Sequence, residues 1–311
     1  MRTKALLLGT AAWGWNVSRT EAFRLLDAWL AAGRRHIDAA TNYPINKNPV
    51  DFRAAEKILE EYLRAHGIRN LAVTMKIGAL DNLRTPDVNL APSFLLMMAE
   101  EYRRLLGENL QTVMLHWDNR PEETAVRESL QALALLEKEQ GIRPGLSGIR
   151  HPDLYARLNR EFGMAFDIQL KHNVLQSDLG RYIDFYPAEN GAEPRHRFFA
   201  YGINAGGLKL EGSYPAGSTY LVRGGDPEKT AEALGRLQGL LPKWNTAFVR
   251  PPLRTMNHLG LVFAGLEHRL DGIVLGLRSV EQLQETLDFW RNLDTFDYSD
   301  VFSTLLKINK P

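Results

Sequence analysis

The strongest constraint in this chain is an alternation that runs from end to end: short apolar runs separated by longer segments with helical periodicity. That is the sequence form of repeated βα units around a parallel sheet. The strand-like runs are Ala5 to Thr10, His36 to Ala39, Leu71 to Ile77, Thr112 to His116, Pro144 to Ser147, Asp167 to Lys171, Arg197 to Tyr201 and Gly272 to Leu275. Helical patterns fall over Arg19 to Ala32, Phe52 to His66, Pro92 to Leu106, Pro121 to Gln140, Pro152 to Gly163, Thr255 to Glu267 and Ser279 to Arg291. Three of these open with proline, which suits a first helical turn where its missing N–H is no loss. Leu179 to Asn190 gives the weakest helical pattern. Eight strands with intervening helices predict a closed (β/α)8 TIM barrel, one domain over residues 1–311, because an open doubly wound sheet usually has fewer strands and a switch point.

Two stretches exceed one βα repeat. Gly202 to Arg254 is rich in glycine and proline and holds its own helical pattern around Pro227 to Leu240, so it is an elaborated loop after the seventh strand. Leu293 to Pro311 is a tail with Phe296, Tyr298 and Phe302, expected to fold over the barrel mouth. No repeat of fixed period and no low-complexity segment is present.

Composition narrows the function classes. The chain is 44% apolar and 24% charged, with 38 basic against 37 acidic side chains, so it can bury a large core and has no bias toward nucleic acid. With no cysteine, disulfides and thiolate metal sites are excluded, and no His/Asp/Glu cluster has metal-ligand spacing. The apolar run Ala5 to Ala12 loosely resembles a secretory signal, yet it is short, lacks a small-x-small cleavage site and leads straight into a helical pattern. It reads as a buried first strand of a soluble, cytoplasmic protein with no membrane partner.

In such a barrel the carboxyl ends of the strands and the loops after them form the active face. Four polar residues stand there: Asp38 near the end of strand two, Tyr43 five residues on, Lys76 at the end of strand three and His116 at the end of strand four. Neighbouring strands would bring them together. Singly, each has an ordinary structural explanation as a cap, a packed aromatic, a solvated charge or a satisfied histidine; jointly they point to one site.

With Gly9-Thr10, Asp38-x-x-x-x-Tyr43, the strand-end Lys76, Leu115-His116-Trp117, Gly145-Leu146-Ser147, Ile168-Gln169 and Gly276-Leu277-Arg278-Ser279 in this order, the chain resembles the aldo-keto reductase superfamily over nearly its full length. The resemblance implies the same barrel and NADP(H), less often NAD(H), bound extended across its C-terminal face without a Rossmann domain. No G-x-G-x-x-G follows any predicted strand, in keeping with this. It also implies reversible reduction of an aldehyde or ketone, sugar-derived carbonyls included. Hydride arriving at carbon leaves charge on oxygen, so a proton donor must be in reach. Tyr43 is the candidate, Lys76 would lower its pKa, Asp38 would hold Lys76 charged, and His116 would orient the substrate oxygen.

The resemblance further implies cofactor contacts from Thr10, Ser147, Gln169 and Tyr201, with Tyr201 stacked on the nicotinamide. Where relatives follow that serine with asparagine, this chain has Gly148. Gly202 to Gly207, with Asn204 and Gly206, offers backbone amides for a pyrophosphate. Arg278 and Ser279 open the last helix, and a cation with a hydroxyl at a helix N-terminus makes a phosphate site, favouring NADP(H) over NAD(H). Farther along stand Gln282 and Thr286, where relatives often carry a basic residue and an asparagine. Trp13, Trp15 and Trp117 are candidate walls of the substrate pocket. Lys171 and Arg150 would attract an anionic substrate group or simply remain solvated, and His36 packs in the barrel. A different class of function, a nicotinamide-nucleotide-binding regulatory protein with little turnover, is kept open by Gly148 and the altered last helix.

Overall fold

Runs such as Ala5-Leu6-Leu7-Leu8-Gly9 place apolar side chains on both faces, which suits strands covered on both sides. In the computed structural model, which describes residues 4–186 and 195–308, they form β1 Ala5–Gly9, β2 His36–Ala40, β3 Ala72–Ile77, β4 Leu110–His116, β5 Arg143–Ser147, β6 Asp167–Asn173, β8 Arg197–Tyr201 and β9 Gly272–Leu275. These pair in parallel in the order β5-β4-β3-β2-β1-β9-β8-β6, and a further β5–β6 pairing closes the ring. The two-residue β7, Gln176–Ser177, turns back antiparallel on the end of β6. The expected TIM barrel is therefore what the chain forms.

The outer layer consists of α1 Arg19–Ala31, α2 Ala54–His66, α3 Pro92–Leu106, α4 Glu123–Gln140, α5 Pro152–Asn159, α8 Met256–Leu266 and α9 Val280–Thr295. Three of them start on a side-chain cap: Ser18, Thr255 and Ser279 each accept an N–H from the first turn of α1, α8 and α9. Several expected boundaries move for local reasons. Glu122 is the extended N-cap of α4, so Pro121 lies outside that helix. Helix α5 stops at Asn159 because that side chain bonds both N–H and C=O of Met164 and closes a turn. The weak pattern from Leu179 becomes a 3₁₀ segment, Leu179–Phe185, kinked at Tyr182, and its remaining positions 187–190 lie outside the described residues.

The elaborated loop carries α6 Thr219–Val222 and α7 Pro227–Ala247, so the helical pattern there continues beyond Leu240, past Pro242. The tail corrects an expectation. It forms α10 Ser299–Ile308, which packs on α8 through Phe302 against Phe263 and is tied to the loop by a two-pronged Arg250–Asp300 pair at 2.6 and 2.8 Å. Its described residues pack against α8 and α7 and line no part of the cleft described below.

Charge closes the opposite, amino-terminal end of the barrel, where conserving stability is the usual task of such residues. Asp167 at the start of β6 receives Arg143 at 2.6 Å and Arg197 at 2.7 Å. Among the described residues no helix is long and apolar enough to cross a membrane.

Candidate active site

Strand register assembles the site. His116 pairs with Ser147 and Ser147 with Gln169, so these three stand side by side at the carboxyl ends of β4, β5 and β6. On the next two strands, Ala40 of β2 pairs with Lys76 of β3 and Asp38 with Thr74, which sets Asp38 two residues below the level of the lysine. The Lys76 ammonium meets the Asp38 carboxylate at 2.5 Å, and the Gln169 amide donates to the same carboxylate oxygen at 2.6 Å. Lys76 is 1% exposed and Asp38 2%, so this ion pair works in a low-dielectric interior where each charge depends on the other. Tyr43 lies over the pair, its ring centroid 5.0 Å from the Lys76 nitrogen, and meets the His116 ring edge-on at 6.3 Å. All four expected catalytic side chains converge.

Their protonation states differ in one respect from expectation. Burial pushes the Tyr43 phenol above its ordinary value, and the opposing pull of Lys76 does not overcome it. The expected lowering by lysine is present but outweighed. Tyr43 thus stays protonated at neutral pH, which suits a proton donor. Burial also opposes the Lys76 charge, yet Asp38 and Tyr43 hold it above the usual lysine range. His116 is driven well below the ordinary histidine value by burial first and Lys76 second, so its imidazole is neutral.

The surrounding positions sort into those facing the open site and those committed elsewhere. Thr10 is fully buried; its hydroxyl and N–H both donate to the Asp38 carbonyl at 3.0 Å, which ties the end of β1 to β2. Ser147 is buried, and Tyr201, half-buried, lies at the end of β8. Asn204 donates to Asn257 at 3.2 Å, which in turn donates to the buried Thr286 at 2.9 Å, so Thr286 ties α8 to α9 and does not face a ligand. Gln282 accepts the Arg278 N–H at 3.0 Å while Ser279 accepts the Gln282 N–H at 3.3 Å, a reciprocal cap at the start of α9. Arg278 is exposed.

The tryptophans part company. Trp13 is 0% exposed and belongs to the hydrophobic core, so it is not a pocket wall; Trp15 is half-buried; Trp117 faces the open cleft. Trp117 also explains Gly148. A Cβ at Gly148 would stand 2.6 Å from the Trp117 ring, and the backbone there has φ +68°, so this space is filled by an indole from the neighbouring strand end. The ring leans on His116 at 4.6 Å.

Two residues at the site have no part in the sequence-based expectations. Asn42, beside Tyr43, is fully buried with neither amide atom partnered among the described residues. Arg223, in the elaborated loop, is half-buried with its Nε unpartnered among the described residues, and burial lowers its pKa while Tyr43 and Tyr201 favour its charge. Only the polar residue next to Tyr43 carried a local signal; Arg223 sits in a loop without periodicity.

A closed βα barrel with a buried lysine–carboxylate pair, a protonated tyrosine and a neutral histidine at its strand ends is an enzyme-like proton-transfer site. Residues 5–304 match the aldo/keto reductase family, and the chain belongs to it. That family consists generally of carbonyl-reducing oxidoreductases that use nicotinamide cofactors. No curated protein matches the chain.

Proposed function

We propose that this protein reduces an aldehyde or ketone to the alcohol with NADPH, using Tyr43 as proton donor. The observation that carries the reading is the juxtaposition of a protonated Tyr43 with the buried Lys76–Asp38 pair and neutral His116.

A dinucleotide suits the residues present. Tyr201 offers a half-buried ring beside Gln169, Gly206 and Gly207 present bare backbone at φ +83° and +103°, and the partnerless Nε of Arg223 asks for an anion. Ser147 and Gln169 would face the carboxamide, and Asn204 with the following glycines the pyrophosphate. When bound, the reduced nicotinamide supplies a hydride to the carbonyl carbon and is left oxidised. The displaced C=O electron pair settles on oxygen, which takes the phenolic proton of Tyr43. Lys76 favours the phenolate left behind, Asp38 keeps Lys76 charged, and His116 positions the oxygen by hydrogen bonding. A proton from water then restores the phenol.

Preference for NADPH rests on Arg278 at the mouth of α9, with its guanidinium exposed and free of any carboxylate among the described residues. Titration of the protein's quenching of NADPH and NADH fluorescence tests it. The expected result is tighter NADPH binding by about tenfold or more, the value of one charge-assisted contact. Equal affinities would remove Arg278 from this role.

A further inference from the structure

A cleft of about 730 Å³ opens beside the catalytic group, within the size range of about 300–1,000 Å³ usual for small-molecule sites. Gln169, Tyr201 and Trp117 form its inner wall and join it to Asp38 and His116. Its outer wall is cationic. Arg84, Arg150, Lys171 and Arg181 line it against a single carboxylate, Asp178. Lys171 stands near the end of β6 and the three arginines lie after β3, β5 and β6, so they are brought together only by barrel closure.

Their partners leave the charge uncompensated. Lys171 is held by the neutral Gln176 amide at 3.2 Å, and Arg84 donates to the Arg223 carbonyl at 2.7 Å. Arg181 donates to the carbonyls of Ile149 and Arg150 at 3.1 and 3.0 Å, pinning one loop to the next, and meets Asp178 only at 3.8 Å. Arg150 has no carboxylate within ion-pair distance among the described residues. Solvated surface charges scatter; here four converge on one cleft, and three are oriented by neutral acceptors. Like charges so placed repel one another, and an anion in the cleft relieves this.

We infer that the carbonyl substrate carries a second, anionic group, a carboxylate or a phosphate, received by Arg150, Lys171, Arg181 and Arg84 while its carbonyl lies toward Tyr43 and His116. The inference rests on the proposed reductase activity and names its substrate class. Trp117, between the cations and His116, forms the apolar spacer wall.

The test compares matched pairs: 4-carboxybenzaldehyde with benzaldehyde, and glyceraldehyde 3-phosphate with glyceraldehyde. Binding is followed by calorimetry without cofactor and turnover by NADPH oxidation. The anionic member should bind and react at least about tenfold better, in keeping with a charge-assisted hydrogen bond, and the advantage should shrink with added salt. The pair with the larger ratio tells carboxylate from phosphate. Arg150→Gln, which removes a guanidinium without an ion-pair partner among the described residues, and Lys171→Gln should each reduce the ratio severalfold at unchanged NADPH affinity. Equal binding of charged and neutral members overturns the inference. So does a weakening of NADPH binding by these variants with the ratio intact, because the cations would then serve the cofactor. If the anionic aldehydes bind better yet nothing is reduced, the anion site stands and the reductase reading fails instead.

Discussion

Tyr43→Phe should lower carbonyl reduction by about 10²–10⁴-fold while NADPH binding persists, the range for loss of a positioned acid. The ring stays in contact with Lys76 and His116, so only the hydroxyl is removed. The pH profile follows from the same group. A phenol whose pKa is raised remains protonated through neutral pH and gives up its proton only on the alkaline side. Reductive kcat/KM should therefore be level through neutrality and fall only as the solution becomes strongly alkaline. Alcohol oxidation, which needs the phenolate, should be slow at neutral pH and rise with pH. His116, held neutral, should contribute no step near the ordinary histidine value of about 6.5. Turnover of Tyr43→Phe at the parent rate, measured by NADPH consumption, would show that another group supplies the proton.

The second large effect concerns the charged pair beneath the tyrosine. Asp38→Asn leaves Lys76 buried beside a neutral amide and should lower stability by about 3–5 kcal/mol, as expected when one member of a buried pair is removed. Adding Lys76→Met to Asp38→Asn removes the stranded charge and keeps an acceptor for the Gln169 amide, whose bond to Asp38 is 2.6 Å. Most of the stability should return in denaturant unfolding, and reduction should not. A double variant that recovers turnover would make the pair a structural device alone.

The barrel was legible because its eight strands are apolar runs suited to burial on both faces and most of the segments between them are periodic helices. The catalytic four were legible for a related reason: each sits within or just past a strand end, and parallel register leaves them little choice but to meet. Other features depended on competition that the sequence does not display. Gln282 had a helix cap to complete, and Thr286 had Asn257. Trp13 is in the core while Trp117 is in the cleft, although both follow strands. Gly148 looked like a lost asparagine, whereas the space belongs to Trp117. Lys171 and Arg150 read singly as solvated charges, and only closure of β5 onto β6, with Arg181 between their loops, makes them part of one cationic wall.

The central claim is that this barrel directs hydride from a reduced nicotinamide to a carbonyl carbon. The direct measurement uses NADPH doubly deuterated at C4 with a panel of aldehydes and ketones, followed by mass spectrometry of the alcohol. The account predicts one deuterium on the carbinol carbon of the product. Alcohol formed without that deuterium, or no alcohol from any carbonyl despite bound NADPH, would contradict it.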